Sequence, residues 1–174
     1  MILLLEPDIR WENEYREMIS AWHASGETPE PWVLREDCSD FDRMVRTLKA
    51  YSRGKGVPEG FVPNSTFWAY NGETEKITGA VNIRHMLEGE FLRVWGNIGF
   101  GVRPDERKQG CATAILHLAL EECKKLHLSK VLLACYQENI ASAKTILKNG
   151  GKLENEITEK GTGKIIQRYW IYLY

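Results

Sequence analysis

Excess charge of either sign is missing from this chain: 23 Lys and Arg against 24 Asp and Glu leave a formal net charge of −1 over 174 residues. Nothing global draws it to nucleic acid or to an anionic membrane, so any anion site must be a local feature. Cysteine is scarce and unpatterned. Cys38, Cys111, Cys123 and Cys135 form no C-x-x-C pair and no Cys/His metal spacing, which argues against a disulfide scaffold and against a metal site. They read as reduced thiols in a cytoplasmic protein. Long apolar runs are absent too. The opening Met1 to Leu5 is too short for a signal peptide and meets Glu6-Pro7 at once, and no segment approaches the length of a membrane span. There is no repeat, low-complexity tract or internal boundary. With 43% hydrophobic residues, residues 1–174 are expected to form a single domain with an adequate core.

The apolar spacing gives the order of elements. Ile2 to Leu5 reads as a strand. From Asp8 to about Ala24 the residues Ile9, Trp11, Tyr15, Met18, Ile19 and Trp22 recur at helical steps, with Asp8 as N-cap. Gly26, Pro29 and Pro31 make Ser25 to Cys38 irregular. Ser39-Asp40 opens a second helix through Phe41, Met44, Val45, Leu48 and Tyr51, and a Gly/Pro-rich loop follows to Pro63. Thr66 to Tyr70 and Ile77 to His85 read as a hairpin across Asn71-Gly72-Glu73. Phe91 to Val102 reads as one further strand interrupted at Gly96 and Gly99. A helix after Gly110, an apolar strand Val131 to Cys135, a helix Asn139 to Asn149 and two last strands complete the order β-α-α-β-β-β-α-β-α-β-β.

The most informative stretch runs from Gly99 to Thr113. A strand ends at Val102, Pro104 stops its pairing, and a charged turn leads into a long amphipathic helix. A helix start offers unpaired N–H groups and the positive end of the dipole. Gly110 lets a ligand approach that backbone, while Arg107 and Lys108 add charge. Together these make a phosphate cradle.

The spacing Arg107-x-x-Gly110-x-Ala112 resembles the acetyl-CoA pyrophosphate loop of the GNAT N-acetyltransferase superfamily, written Gln/Arg-x-x-Gly-x-Gly/Ala. The order of elements is also the GNAT order. Downstream, Asn139-x-x-Ser142 and Gly150 match that superfamily's Asn-x-x-Ala/Ser-x-x-x-Tyr-x-x-x-Gly, except that Ile146 stands where the tyrosine is usual. The phrases Val62 to Trp68, Asn82 to His85, Asn149 to Glu156 and Arg168 to Ile171 are similar to a bacterial subgroup known only as predicted acetyltransferases. The resemblance implies an α+β fold: a central, mixed, mostly antiparallel twisted sheet of about seven strands, splayed between the fourth and fifth, with about four flanking helices. It implies acetyl-CoA as co-substrate, no metal, and transfer of the acetyl group to a primary amine of a small molecule or peptide. It is compatible with a homodimer and points to no nucleic-acid or membrane partner.

By position, the cofactor-binding residues implied are Phe100, Val102, Arg107, Lys108, Gln109, Gly110, Cys111, Ala112, Thr113, Asn139 and Ser142. A backbone N–H at Val102 or its neighbour would polarise the thioester, Asn139 would bond the pantetheine arm, and Ser142 would let it pass. The chemistry needs a base for the amine and an acid for the departing thiolate. Relatives often place a glutamate where this chain has Asn97, which can hold a water but is no base. His85 is the titratable candidate for base, and Tyr136 the substitute acid. Cys111 reads as a small neutral filler. Glu27, Glu30, Glu36, Asp37 and Asp40 around the loop between the first two helices hint at a cationic acceptor. A non-catalytic acyl-CoA-binding module of the same fold is the alternative. A nucleotide P-loop is disfavoured because no Gly-Lys-Ser/Thr ending follows.

Overall fold

The computed structural model describes all 174 residues. Strands β1 (Ile2–Leu5), β2 (Asn64–Asn71), β3 (Lys76–Arg84) and β4 (Ile98–Val102) form one antiparallel sheet in the order β1-β2-β3-β4. Strands β5 (Lys130–Tyr136), β6 (Lys152–Thr158) and β7 (Ile165–Tyr172) form a second, in the order β5-β7-β6. Backbone hydrogen bonding between the two halves is confined to the foot of β4, where the Asn97 N–H donates to the Leu132 carbonyl at 2.7 Å and Gly96 opposes Leu133. No ladder bonds join β4 to β5 beyond that point, so the expected seven strands and the splay are both present.

Helices α1 (Glu12–Ser25) and α2 (Phe41–Tyr51) cover one face of the first sheet, and α3 (Cys111–Lys125) and α4 (Ile140–Lys148) the other side of the junction. Each forms where its sequence provides a stripe and a stop. In α1, Tyr15, Met18, Ile19 and Trp22 are buried at three- and four-residue steps, and Gly26 ends the helix at φ 74°. In α2 the Asp40 side chain accepts the Arg43 N–H at 3.0 Å, and Phe41, Met44, Val45, Leu48 and Tyr51 face inward. Asp8 caps only a short turn, Ile9–Trp11, that precedes α1. Two cores result. Val81, Ile83, Ile98 and Val102 pack with Ile115, Leu116 and Ala119 of α3 and with Ile146 of α4. Trp68, Ile77 and Ala80 pack against α1 and α2. β3 is buried on both faces from Ile77 to Arg84, as expected of a strand between two helical layers.

Besides the later start of α1, one element differs from the sequence expectation. Phe91 to Val102 is not a single strand: Phe91–Trp95 is a helical turn and only Ile98–Val102 is extended. Phe91 and Val94 are buried while Leu92 and Arg93 are exposed, which is a three-residue step rather than strand alternation. Gly96 then closes the turn at φ 73° and lies so close to β5 that an added Cβ would sit 2.1 Å from the Leu132 carbonyl oxygen. No helix is long and apolar enough to cross a membrane.

Candidate active site

Below the junction the chain opens a cleft of about 610 Å³ between the free edge of β4, the start of α3, one side of α4 and the loop after α1. Its cradle end is built by two left-handed residues, Lys108 at φ 65° and Gly110 at φ 81°, which swing the chain from the β4 exit into α3. Gly110 occupies the N-cap without any side-chain cap. The N–H groups of Cys111, Ala112 and Thr113 are therefore left without intrahelical acceptors at the positive end of a 15-residue helix. A Cβ on Gly110 would meet no protein atom within 4 Å, so the space it would take is open to a ligand.

Charge around that end is uneven. Arg107 is already engaged: its Nε donates to the Val102 carbonyl at 3.1 Å, its two Nη atoms grip Glu27 at 3.0 and 2.7 Å, and its guanidinium lies 5.1 Å from the Trp22 ring. Lys108 lines the cleft, and so do Lys144 and Lys148, one turn apart on α4. The sequence reading missed these last two because only the fold brings α4 alongside the start of α3, where the Asn149 amide donates to the Thr113 carbonyl at 3.3 Å. Gln109 is exposed and does not line the cleft.

At the other end, β4 presents unpaired backbone. Arg103 donates its N–H to Thr78 of β3, and the Val102 carbonyl points away from β3 to accept from Arg107. Strand alternation therefore turns the N–H groups of Phe100 and Val102 to the open edge. Asn139 caps α4, its Oδ1 accepting the Ser142 N–H at 3.1 Å, which leaves its Nδ2 without a partner in the chain at the cleft wall. Ser142 lies beside it. Ile146 is 1% exposed and belongs to the core, so no acid-bearing side chain projects from that position.

The three residues expected to be catalytic have other surroundings. Asn97 is 2% exposed and its amide is used at both ends: Oδ1 accepts the Leu132 N–H at 2.9 Å and Nδ2 donates to the Arg84 carbonyl at 3.1 Å. It staples β4 to β5. His85, just beyond β3, does not line the cleft; its Nε2 is 2.8 Å from the Ser65 hydroxyl, and partial burial lowers its pKa, favouring neutral imidazole. Tyr136 donates its hydroxyl to Glu159 at 3.0 Å, and burial followed by that bond raises its pKa. Cys111 is buried, and burial with Glu106 nearby raises its thiol, consistent with a neutral filler.

Sequence reasoning took Glu30 only as one acid of a loop. The loop crosses directly over β4, so that a Cβ on Gly101 would lie 2.2 Å from the Glu30 carbonyl oxygen. The Glu30 side chain lines the cleft beside Phe100 and Gly101, half exposed, and pairs with Arg35 at 3.1 Å. Desolvation raises its pKa despite that cation. Proximity across 71 residues was not readable from sequence. The other loop acids have internal partners: Glu27 holds Arg107, Glu36 accepts the Tyr51 hydroxyl, Asp37 binds Ser39, and Asp40 caps α2. The acidic cluster is thus largely spent within the fold. No group of three or more His, Cys, Asp or Glu is placed to hold a metal ion.

Comparison with known proteins agrees with this geometry. The family model described as acetyltransferase (GNAT) domain matches residues 8–152. Among solved structures, the microcin C7 self-immunity acetyltransferase MccE, in complex with acetyl-CoA and AMP, superposes with a TM-score of 0.71 at 16% identity, over 98% of this chain and 92% of that one. RimJ of Mycobacterium smegmatis, in complex with CoA-disulfide, gives 0.71 at 18% identity over 98% and 81%. A point mutant of the spermidine N-acetyltransferase SpeG of Vibrio cholerae gives 0.63 at 15% identity over 99% and 95%. These identities speak for the fold alone. No curated protein matches by sequence. A cradle at the head of α3, a splayed β4–β5 junction and a family match over most of the chain lead to one assignment: the chain belongs to the GNAT acetyltransferase family.

Proposed function

We propose that the protein is an acetyl-CoA-dependent N-acetyltransferase acting on a primary amine of a small molecule or peptide. One observation carries the reading: a single cleft joins an unpaired helix start to an unpaired strand edge. The residues fit acetyl-CoA. The N–H groups of Cys111, Ala112 and Thr113, with Lys108, would take the pyrophosphate, and Asn139 Nδ2 and the β4 edge would take the amides of the pantetheine arm. Acetyl-CoA supplies a thioester whose thiol is a tolerable leaving group.

The chain's own part is to position and to move protons. An N–H at Phe100 or Val102 donates toward the carbonyl oxygen as negative charge develops there. Glu30 lines the cleft beside Phe100 and Gly101 and acts as base toward the incoming ammonium; burial makes its carboxylate more basic than an ordinary one. His85 and Tyr136 do not line the cleft, and Asn97 fixes the splay that opens it. Holding amine and thioester together supplies much of the acceleration.

The test is turnover. Release of free CoA thiol is followed with pools of amines, peptides and an amine-free control. Amine-dependent release with matching N-acetyl product supports an enzyme. Binding of acetyl-CoA without product from any pool supports the non-catalytic module instead.

A further inference from the structure

Two glycines share the α1/α2-facing side of β4, Gly99 and Gly101, one strand period apart, roughly 7 Å. Each lies under a group of opposite charge. A Cβ on Gly101 would meet the Glu30 backbone and side chain at 2.2 to 3.2 Å, and one on Gly99 would meet Arg84 Nη2 and Pro31 Cβ, each at 3.4 Å. Phe100, between them, turns its N–H to the open edge. We infer that the acceptor is a zwitterion, an amine carrying a carboxylate close by, with Arg84 holding the carboxylate beside Gly99 and Glu30 facing the ammonium beside Gly101. The inference rests on the N-acetyltransferase reading and adds the substrate class to it.

Arg84 is the observation that asks for a ligand. It is 7% exposed, yet it makes no salt bridge within the chain. Its Nη1 donates to the Gly96 carbonyl at 2.9 Å, its guanidinium lies 4.5 Å from the Phe91 ring centroid, and its Nε is buried without any partner. Nη2, the end beside Gly99, donates to nothing in the protein. Desolvation lowers the pKa to about 10, so the group is still a cation near neutral pH. Nη2 is free to donate to a carboxylate oxygen in a charge-assisted hydrogen bond, and a buried charge without an ionic partner is a standing cost that such a ligand would remove.

Glu30 is the acid that acts on Arg84 by charge, but its bonds go to Arg35. Glu30 lines the cleft, whereas Arg84 and Gly99 lie just beyond its lining along β4, and the two charges do not neutralise each other. The rest of the loop acids are committed elsewhere, as described above, which removes the argument for a polycation. Trp32 and Phe61, 4.5 Å apart, continue to the Phe91 ring against which Arg84 lies, and would offer apolar contact to a side chain.

The experiment compares matched amines with the unaltered protein and acetyl-CoA: each amino acid with its carboxamide and its decarboxylated amine, peptides beginning with Asp or Glu, 2-aminoethyl phosphate and spermidine. Acetylated product is read by mass and acetyl-CoA affinity by calorimetry. The expected result is a preference of roughly tenfold or more in kcat/KM for an amine with a nearby carboxylate over its carboxamide. In Arg84→Gln that preference should vanish through a raised KM, with acetyl-CoA affinity unchanged, and Arg84→Lys should restore part of it. If Arg84→Gln does not fold, the matched series alone decides. Equal use of acid and carboxamide, or a preference for spermidine or the phosphate, overturns the proposal. So does acetyl-CoA binding with no acetylation of any arm, which leaves the cofactor reading standing. Failure to bind acetyl-CoA overturns both.

Discussion

Replacing Gly101 by alanine adds one methyl group to β4, and the fold states where it goes. The new Cβ would lie 2.2 Å from the Glu30 carbonyl oxygen and 2.9 Å from its carbon. Unstrained contacts between such atoms begin near ~3.5 Å, so the crossing loop must retreat by more than about 1 Å. The backbone of Gly101 is not left-handed, so the penalty comes from contact alone, about 1–3 kcal/mol as for other overpacked sites. The consequence for function is larger. Displacing a base by that distance from the reacting amine costs on the order of a hundredfold. The N–H groups at the head of α3 do not contact Glu30 or Gly101, so the pyrophosphate contacts are retained. Steady-state acetyl transfer for Gly101→Ala should therefore show kcat/KM down by about a hundredfold, while calorimetry returns the parental acetyl-CoA affinity. Parental kcat/KM would refute the placement of Glu30 over β4. A loss confined to acetyl-CoA affinity would refute the separation of the two ends.

Other outcomes follow from single contacts. Asn97→Ala leaves the Leu132 N–H and the Arg84 carbonyl unpaired at a buried junction, and should lower stability in denaturant by about 2–4 kcal/mol; unchanged unfolding would contradict its role as a staple. Burial holds the Glu30 carboxyl above its ordinary value, so the basic form appears only as pH rises through that raised value. kcat/KM should climb with pH on a limb that Glu30→Gln removes, and persistence of the limb in that variant would show another base. His85→Gln should keep both rate and pH profile near those of the parent, since its ring bonds Ser65 away from the cleft; loss of activity in a folded variant would restore His85 as the base.

Much of this arrangement was legible in the residues, because it is written locally. The helix faces of α1 and α2, the Asp40 cap, the Asn71-Gly72 hairpin and the strand–turn–helix passage around Gly110 each depend on neighbours within a few positions. The run from Phe91 to Trp95 was misread since its apolar residues fit either period, and only the close approach of Gly96 to β5 fixes the helical turn. Asn97 was placed at the start of the fourth strand and read as able to hold a water, whereas its amide is taken up by two long-range bonds. Glu30, Lys144 and Lys148 acquire their positions through tertiary contacts, and the charge of an isolated loop says nothing about which partners will consume it.

The central claim is that the head of α3 holds the pyrophosphate of acetyl-CoA, and calorimetric titration of the parent and Gly110→Val with acetyl-CoA, CoA and ATP tests it most directly. The account predicts micromolar binding of both CoA species by the parent, little binding of ATP, and weakening of acetyl-CoA by at least about 1–2 kcal/mol in the variant, whose side chain would enter the open cradle. Parental affinity in Gly110→Val, or no binding of either CoA species by the parent, would contradict it.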